Sequence, residues 1–224
     1  MLKNRFSTSA FGLTIAVTSD CNLRCIYCYE KDVISPGKMT KEVQEKIVEA
    51  LRNQAKTLSS FSVTWYGGEP LLAIDVIENL SKEFIEICKD NNITYGAGII
   101  TNGYLLTRDV LELLNKYNIT FIQVTIDGMP EVHNKRRPLA NGEGTFETIM
   151  KNLEENYDLL PRTSLRINVD KNNLDTGTDI YKYLLEKNIL EKVKPYYGKT
   201  SNDNNNYIDS ECLSTCDYAK ADFQ

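Results

Sequence analysis

The chain has 224 residues, six cysteines, one histidine and a formal net charge of −5. This length suits one domain or one domain and a fraction, and a composition of 42% hydrophobic and 25% charged residues excludes disordered, collagen-like and membrane-spanning classes. The acidic excess gives no general electrostatic reason to bind nucleic acid or an anionic membrane. Because catalytic triads and histidine-based metal sites would all depend on His133, the composition also argues against most common hydrolase mechanisms.

The first 17 residues carry basic and then apolar side chains, as a signal peptide does. However, Thr14 interrupts the apolar run, and Asp20 stands where a small residue would precede a cleavage site. Three of the six cysteines fall within residues 21–28, a spacing typical of a metal site rather than of a disulfide framework. We therefore predict a protein of the reducing cytoplasm, with neither a membrane nor nucleic acid as a partner.

Six short runs rich in β-branched and aromatic residues predict β-strands. In chain order they are Leu13–Val17, Phe61–Tyr66, Gly98–Thr101, Thr120–Ile126, Leu165–Val169 and Val193–Tyr197. Segments with helical spacing of apolar residues lie between them, and Thr107 and Thr145 stand where helix N-caps belong. The predicted order is an alternation of strand and helix from end to end.

Strands joined by helical crossovers form a parallel sheet, and two architectures, an open or partial barrel and a flat α/β sheet, satisfy this pattern. In both, ligands bind at the carboxyl ends of the strands. The loops at these ends carry the unusual residues of the sequence: the cysteine run, then Gly67–Pro70, Asn102–Gly103 and Asp127–Gly128. We therefore expect one functional site at this edge of the sheet.

The composition becomes polar from about Gly198 onward. This change predicts a domain over residues 1–198, followed by a polar linker and a short tail over residues 199–224. The tail carries Cys212 and Cys216 and is too short to form a domain.

The run Cys21-Asn-Leu-Arg-Cys25-Ile-Tyr-Cys28 places three thiols on a loop directly after a predicted strand. A [4Fe-4S] cluster usually takes one cysteine per iron, so three ligands would leave one iron open to a small molecule. The spacing favours this interpretation. There are two alternatives. One is a zinc site whose fourth ligand is Cys88, Cys212, Cys216 or His133, and the other is a set of three thiols packed in the core.

Four motifs in order resemble those of the radical S-adenosylmethionine (radical SAM) superfamily. They are the cysteine run with Tyr27, the stretch Trp65–Pro70, the stretch Ile100–Gly103 and the stretch Val124–Gly128. The stretch from Asp127 to Phe146 is similar to a pattern of the peptide-modifying branch with a SPASM-type extension, which includes anaerobic sulfatase-maturing enzymes. The resemblance covers roughly residues 11–197 and implies a partial (β/α)6 barrel.

The resemblance also implies the chemistry. Cys21, Cys25 and Cys28 would hold a [4Fe-4S] cluster whose fourth iron binds the amino and carboxylate groups of S-adenosylmethionine. Reductive cleavage of this cofactor would give a 5′-deoxyadenosyl radical that abstracts hydrogen from a peptide or protein side chain. The implied electron donor is a flavodoxin or ferredoxin.

Further positions are carried over as cofactor-binding residues. Tyr27 is expected near the adenine, and Glu69 is expected to accept a hydrogen bond from the ammonium group of the cofactor. Asp127 and Arg137 are expected to hold the cofactor or shape the substrate face, and an internal ion pair or a helix-capping role is the alternative. The whole implied set, which includes no assigned catalytic side chain, is Tyr27, Gly67, Gly68, Glu69, Pro70, Thr101, Asn102, Thr125, Asp127, Arg137 and Val169.

Three features have ordinary structural interpretations. A hydrogen-bonded structural role is favoured for His133, and packing in the core is favoured for Cys88. The basic run Lys135–Arg137 predicts a solvated loop, or a contact with an acidic peptide.

SPASM-type enzymes carry a cysteine-rich region beyond the barrel for auxiliary clusters, and Cys212 and Cys216 alone do not supply the four ligands of such a cluster. We therefore expect a truncated or minimal member of the branch. The alternatives are a non-enzymatic zinc-binding module and an inactive partner of a complete maturase.

Overall fold

The computed structural model describes residues 9–32, 34–200, 207–208 and 211–222. Six strands alternate with helices along the chain. The strands are β1 (Ala10–Ala16), β2 (Ser60–Tyr66), β3 (Thr94–Thr101), β4 (Ile119–Thr125), β5 (Arg162–Val169) and β6 (Val193–Lys199). The α-helices are α1 (Lys41–Gln54), α2 (Ile74–Asp90), α3 (Arg108–Lys116), α4 (Pro130–Arg136), α5 (Phe146–Glu155), α6 (Thr176–Glu186) and α7 (Thr215–Asp222).

The six strands form one parallel sheet in the order β1-β2-β3-β4-β5-β6. Each strand pairs with its neighbour in sequence, and helical segments make every crossover, as parallel pairing requires. β1 and β6 are the two edges, so the sheet is open. The structure confirms the predicted α/β class with a partial (β/α)6 barrel.

Alternating side chains of each strand separate the core from the functional face. On β2, Phe61, Val63 and Trp65 are buried, while the residues between them are not. The ring of Phe84, on α2, lies 5.1 Å from that of Phe61 and 6.0 Å from that of Trp65, measured between ring centroids. The helices therefore cover one face of the sheet, and Tyr66 belongs to the opposite face, which carries a cavity.

Several boundaries differ from the sequence prediction. β3 begins four residues earlier than predicted, because Gly96 and Gly98 weaken the strand signal of its first half. Helix α4 was not predicted, since seven residues are too few to show a helical period. Helix α7 lies in the tail, and residues 201–206 of the predicted linker lie outside the described residues.

Thr107 and Thr145 occupy the N-cap positions of α3 and α5, as predicted, but neither hydroxyl makes a capping hydrogen bond. Among the described residues, the structure contains no helix that is long and apolar enough to span a membrane.

Candidate active site

A cavity of about 460 Å³ opens at the carboxyl ends of the strands. The loops that follow β1, β2 and β3 form one part of its wall, and the ends of β4, β5 and β6 form the other part. Of the sequence-predicted residues, those that line it are Cys21, Cys25, Tyr27, Cys28, Gly67, Gly68, Thr101, Asn102, Thr125 and Arg137. The fold therefore collects most of the predicted set in one place, although these residues span more than half of the chain.

The cysteine loop connects β1 with α1 and is fixed by the segment that follows α4. The amide of Arg24 donates to Pro138 O at 2.8 Å, and the amide of Ile26 donates to Arg136 O at 2.9 Å. A turn bond of 3.1 Å from Cys28 N to Cys25 O brings two of the cysteines together. All three cysteines are half-buried, and none forms a disulfide.

The donor set fits an iron–sulfur cluster better than a single metal ion. In the described part of the chain, no three His, Cys, Asp or Glu side chains are arranged to surround one ion. Cys88 is buried in the core on α2, and both ring nitrogens of His133 have hydrogen-bond partners, so neither completes a zinc site. A cluster distributes its cysteines over separate irons, which matches three thiols that line one cavity.

Burial controls the protonation of these thiols. It raises the pKa of Cys21 to about 12 and also raises the pKa values of Cys25 and Cys28. Arg137 opposes this effect at Cys25, because its positive charge stabilises a thiolate. A cationic metal centre bound by the loop would deprotonate the thiols in the same way and more strongly.

Gly67 and Gly68 are required by the close approach of the cysteine loop. A Cβ at Gly67, whose φ is +132°, would lie 2.2 Å from Thr18 O, and a Cβ at Gly68 would lie 2.4 Å from Asp20 O. The amide of Gly68 donates to Thr18 O at 3.0 Å. The two glycines therefore hold the loop after β2 against the cysteine loop.

Glu69 is fully buried behind the cavity wall and does not line the cavity. Its Oε1 accepts hydrogen bonds from Thr101 Oγ1 at 2.7 Å and Leu71 N at 3.0 Å, and its Oε2 accepts from Asn102 N at 2.7 Å. Burial raises the pKa of this carboxyl group, and these hydrogen bonds oppose the rise. The structure thus uses the carboxylate to tie the end of β2 to the end of β3, instead of presenting it to a ligand.

Tyr27 links the cysteine loop to the far side of the cavity. Its hydroxyl accepts hydrogen bonds from Arg137 Nη1 at 2.7 Å and from Asn168 Nδ2 at 3.0 Å. The guanidinium carbon of Arg136 lies 5.1 Å from the centroid of the tyrosine ring. These contacts hold the ring and the Arg137 side chain at the cavity wall.

The internal ion pair of Asp127 forms with Arg136, not with Arg137. Arg136 Nε lies 3.1 Å from Asp127 Oδ2, and Arg136 Nη1 lies 2.7 Å from Asp170 Oδ2. Asp127 does not line the cavity. Asp127 therefore has no direct contact with the cavity in which the cofactor was expected. Instead, it supports the cavity wall through its ion pair with Arg136.

The basic run is not a solvated loop. Arg136 is 5% exposed and Arg137 is 7% exposed, because the run ends α4 and continues beneath the cysteine loop. Val169 and Pro70 are also buried and do not line the cavity.

Polar residues that line the cavity but were not predicted as site residues include Gln123, Arg166, Asn168 and Lys199. Arg166 and Asn168 lie two positions apart on β5, so both belong to the face of the sheet that carries the cavity. The signal was present as polar residues alternating with apolar ones on a predicted strand.

Comparison with known proteins identifies the class of protein. The sequence matches the Radical SAM superfamily over residues 15–184, and the chain belongs to this superfamily. Its cofactors are therefore a [4Fe-4S] cluster and S-adenosylmethionine.

Within this class the chain is similar to a cysteine-type anaerobic sulfatase-maturating enzyme of Clostridium novyi, with 33% identity over 74% of this chain and 45% of the relative. A probable GTP 3′,8-cyclase of Archaeoglobus fulgidus is 33% identical over 69% of this chain and 47% of its own length. The structure of native anSMEcpe with bound AdoMet and Kp18Cys peptide superposes with a TM-score of 0.76 and 25% identity, over 95% of this chain and 58% of that one. The chain thus spans about half the length of the curated relatives that it matches.

Proposed function

We propose that this chain is the catalytic barrel of a radical SAM enzyme in which Cys21, Cys25 and Cys28 hold the [4Fe-4S] cluster. The observation that carries the proposal is the cavity itself. The three thiols line it together with the glycine loop after β2 and the polar ends of β3 and β4. One cavity at the carboxyl edge of the sheet therefore offers a ligand set for the cluster and, beside it, polar groups for S-adenosylmethionine.

The residues of the cavity wall suggest which group of the protein binds each part of S-adenosylmethionine. Arg137, which donates one hydrogen bond from Nη1 to the Tyr27 hydroxyl, supplies a cation for the carboxylate of the cofactor. Thr101, Asn102 and Thr125 supply polar groups for the ribose and the methionyl end, and Gly67 and Gly68 supply backbone groups. Tyr27 supplies an aromatic surface for the adenine.

Residues behind the wall position these groups. Glu69 holds the ends of β2 and β3 together, with Pro70 beginning the short helix that follows, and Asp127 holds Arg136 beneath Tyr27. With S-adenosylmethionine bound and the cluster reduced by one electron, the two cofactors would supply a 5′-deoxyadenosyl radical for abstraction of hydrogen from the substrate. The role of the chain is to bind and orient the cofactors and to limit the access of water.

A peptide or protein side chain is the proposed substrate. Support comes from the names of the similar proteins, which include sulfatase-maturating enzymes and anSMEcpe with a bound peptide. The proposal also covers the organisation of the chain: residues 1–198 are the cofactor domain, and residues 199–224 are the linker and tail. The proposed location is the cytoplasm, and the proposed electron donor is a flavodoxin or ferredoxin.

The test is anaerobic reconstitution of the protein with iron and sulfide, followed by reductant and S-adenosylmethionine. We expect about four irons per chain and the release of 5′-deoxyadenosine. Cys25→Ala should abolish both, whereas the matched control Cys216→Ala, at an exposed position on α7, should change neither.

Two results would contradict the proposal in different ways. Four irons without cleavage of the cofactor would reject catalysis by this chain and retain the cluster site. One zinc in a colourless protein purified without air would favour the non-enzymatic module.

A further inference from the structure

The side of the cavity formed by β5 and β6 carries two cations without a counter-ion. Arg166 and Lys199 both line the cavity and are half-buried. Across the described residues, neither side chain has a carboxylate within 4.0 Å. Glu30, on the cysteine loop, is the one acidic residue among the described residues that line the cavity. An electropositive region therefore lies opposite the cysteine loop.

Arg166 is held in a defined orientation. Its Nε donates to Asn168 Oδ1 at 2.7 Å, and Asn168 Nδ2 donates to the Tyr27 hydroxyl at 3.0 Å. The inner nitrogen of the guanidinium is thus used to fix the group, while neither terminal nitrogen has a hydrogen-bond acceptor in the described part of the chain. A planar pair of donors of this kind matches the two oxygens of a carboxylate.

Gly198 provides the space that this orientation needs. A Cβ at Gly198 would lie 2.4 Å from Arg166 Nε and 2.7 Å from its guanidinium carbon. The φ angle of Gly198 lies outside the left-handed region, so its backbone does not require glycine. The absence of a side chain on this part of β6 is therefore explained by the guanidinium that lies across it.

We propose that Arg166 and Lys199 form a subsite that binds a carboxylate of the substrate, either an acidic side chain of a peptide or its carboxyl terminus. This inference rests on the proposed function and specifies the class of substrate. Half-buried cations without partners have lost part of their hydration. An anion that binds beside both of them compensates for this loss, so its binding is favourable. Arg137 lies on the other side of this hydrogen-bonded chain, where it donates to Tyr27 and, in the proposed function, serves the carboxylate of S-adenosylmethionine, which leaves Arg166 and Lys199 for the substrate.

The geometry favours a carboxylate over a nucleotide. One guanidinium with one neighbouring ammonium suffices to bind a carboxylate, whereas a nucleoside triphosphate needs several cations or a metal ion. Arg136 adds little to such a surface, because it is buried and neutralised by Asp127 and Asp170.

The experiment measures binding of three short rhodamine-labelled peptides of alanine, serine and glycine to the reconstituted holoprotein, with S-adenosylmethionine in excess. The first peptide carries two glutamates and an amidated end, the second is neutral with a free carboxyl terminus, and the third is neutral and amidated. Fluorescence polarisation gives each dissociation constant, and GTP serves as a competitor. The variants are Arg166→Gln, Lys199→Met and Gly198→Ala, with Lys194→Met as the control, because Lys194 is exposed on the same strand outside the cavity.

We expect at least one carboxylate-bearing peptide to bind about tenfold more tightly than the neutral amidated peptide, and each of the three cavity variants to remove this preference. Comparison of the first two peptides shows which source of the carboxylate is recognised. Lys194→Met should retain the preference. The cluster absorption and the affinity for S-adenosylmethionine should be unchanged in Arg166→Gln, which separates this inference from the proposed function.

Three results would overturn the subsite. The first is equal affinity for all three peptides, and the second is loss of S-adenosylmethionine binding in Arg166→Gln, which would assign this arginine to the cofactor. The third is tighter, Arg166-dependent binding of GTP, which would assign the cations to a phosphate.

Discussion

His133 is the single histidine of the sequence, and the structure gives it a structural role. Its Nδ1 accepts a hydrogen bond from Asp127 N at 3.1 Å, and its Nε2 lies 3.0 Å from Thr145 Oγ1. Because the Thr145 hydroxyl donates its own proton to Arg137 O at 2.7 Å, Nε2 must be the donor in the other contact. The ring is therefore neutral, with its proton on Nε2, and it connects α4 to the start of α5.

This arrangement predicts a pH dependence of stability. Burial, with Arg137 and Arg136 nearby, holds the pKa of His133 well below its ordinary value of 6.5. The unfolded chain therefore binds a proton below pH 6.5 that the folded chain excludes, and the stabilising contribution of the neutral ring is lost as the pH falls through this window. The loss approaches about 1.4 kcal/mol per pH unit.

The measurement is the free energy of unfolding by urea at pH 6.5 and 5.5, for the natural protein and for His133→Gln. We expect the natural protein to lose more stability than the variant on acidification. No other histidine is present to produce the difference. Equal losses in the two proteins would show that His133 is protonated in the folded state.

At the scale of elements, the candidate site depends on contacts between loops that follow neighbouring strands. The loop after β2 donates Gly68 N to Thr18 O and Glu69 N to Asp20 O, both in the loop after β1. Asn102, after β3, donates its side-chain amide to Asn22 Oδ1 of the cysteine loop at 2.8 Å. The geometry of the three thiols is therefore set by the ends of β2 and β3 as well as by the cysteine loop itself.

Gly68→Ala tests this dependence. The added Cβ would lie 2.4 Å from a backbone oxygen of Asp20, so the cysteine loop must move. We expect a marked loss of bound iron after reconstitution, with the fold retained by circular dichroism. Gly96→Ala on β3 is the matched control, because its Cβ would meet no atom within 4 Å. Full iron loading of Gly68→Ala would show that the loop tolerates the displacement.

At the scale of the whole molecule, residues 207–208 and 211–222 return to the carboxyl end of the barrel. The Tyr207 hydroxyl donates to Asp170 Oδ2, the oxygen that also receives Arg136, and the Tyr207 ring packs edge-on against Tyr27. Leu213 is 5% exposed within the main hydrophobic core. The tail is thus coupled to the wall of the candidate site through a buried carboxylate.

Tyr207→Phe should weaken this coupling. Burial alone would raise the pKa of Asp170, but hydrogen bonds from Tyr207 and Arg136 hold it below its ordinary value, so the carboxylate is stabilised by both donors. Removing one donor should cost about 1 kcal/mol and speed amide hydrogen exchange in residues 207–222. Tyr181→Phe, an exposed tyrosine on α6, is the control. Unchanged exchange in Tyr207→Phe would show that the other contacts of the tail, among them Leu213 in the core and the hydrogen bond from the Tyr218 hydroxyl to Tyr197 O, hold it without this bond.

The sequence by itself determined the alternation of strands and helices along the chain, the parallel sheet and the edge of the sheet at which the chemistry lies. These features follow from local spacing: apolar periods define the elements, and the cysteine and glycine motifs stand directly after strands. Even Thr145 was placed correctly as an N-cap, although its hydroxyl serves His133 and Arg137 instead of the helix.

Only the tertiary structure decided which polar side chains meet the cavity and which support it. Glu69 and Asp127 lie behind the wall, whereas Asn102 and Arg137 lie on it, and no local pattern distinguishes the two groups. The distinction depends on partners far apart in the chain, such as Tyr27 and Asn168, whose contact forms only when the first loop and the fifth strand meet. A buried polar group must form its hydrogen bonds with whichever atoms folding places beside it. For the residues of this site, those atoms come from distant parts of the chain, so sequence spacing does not identify them.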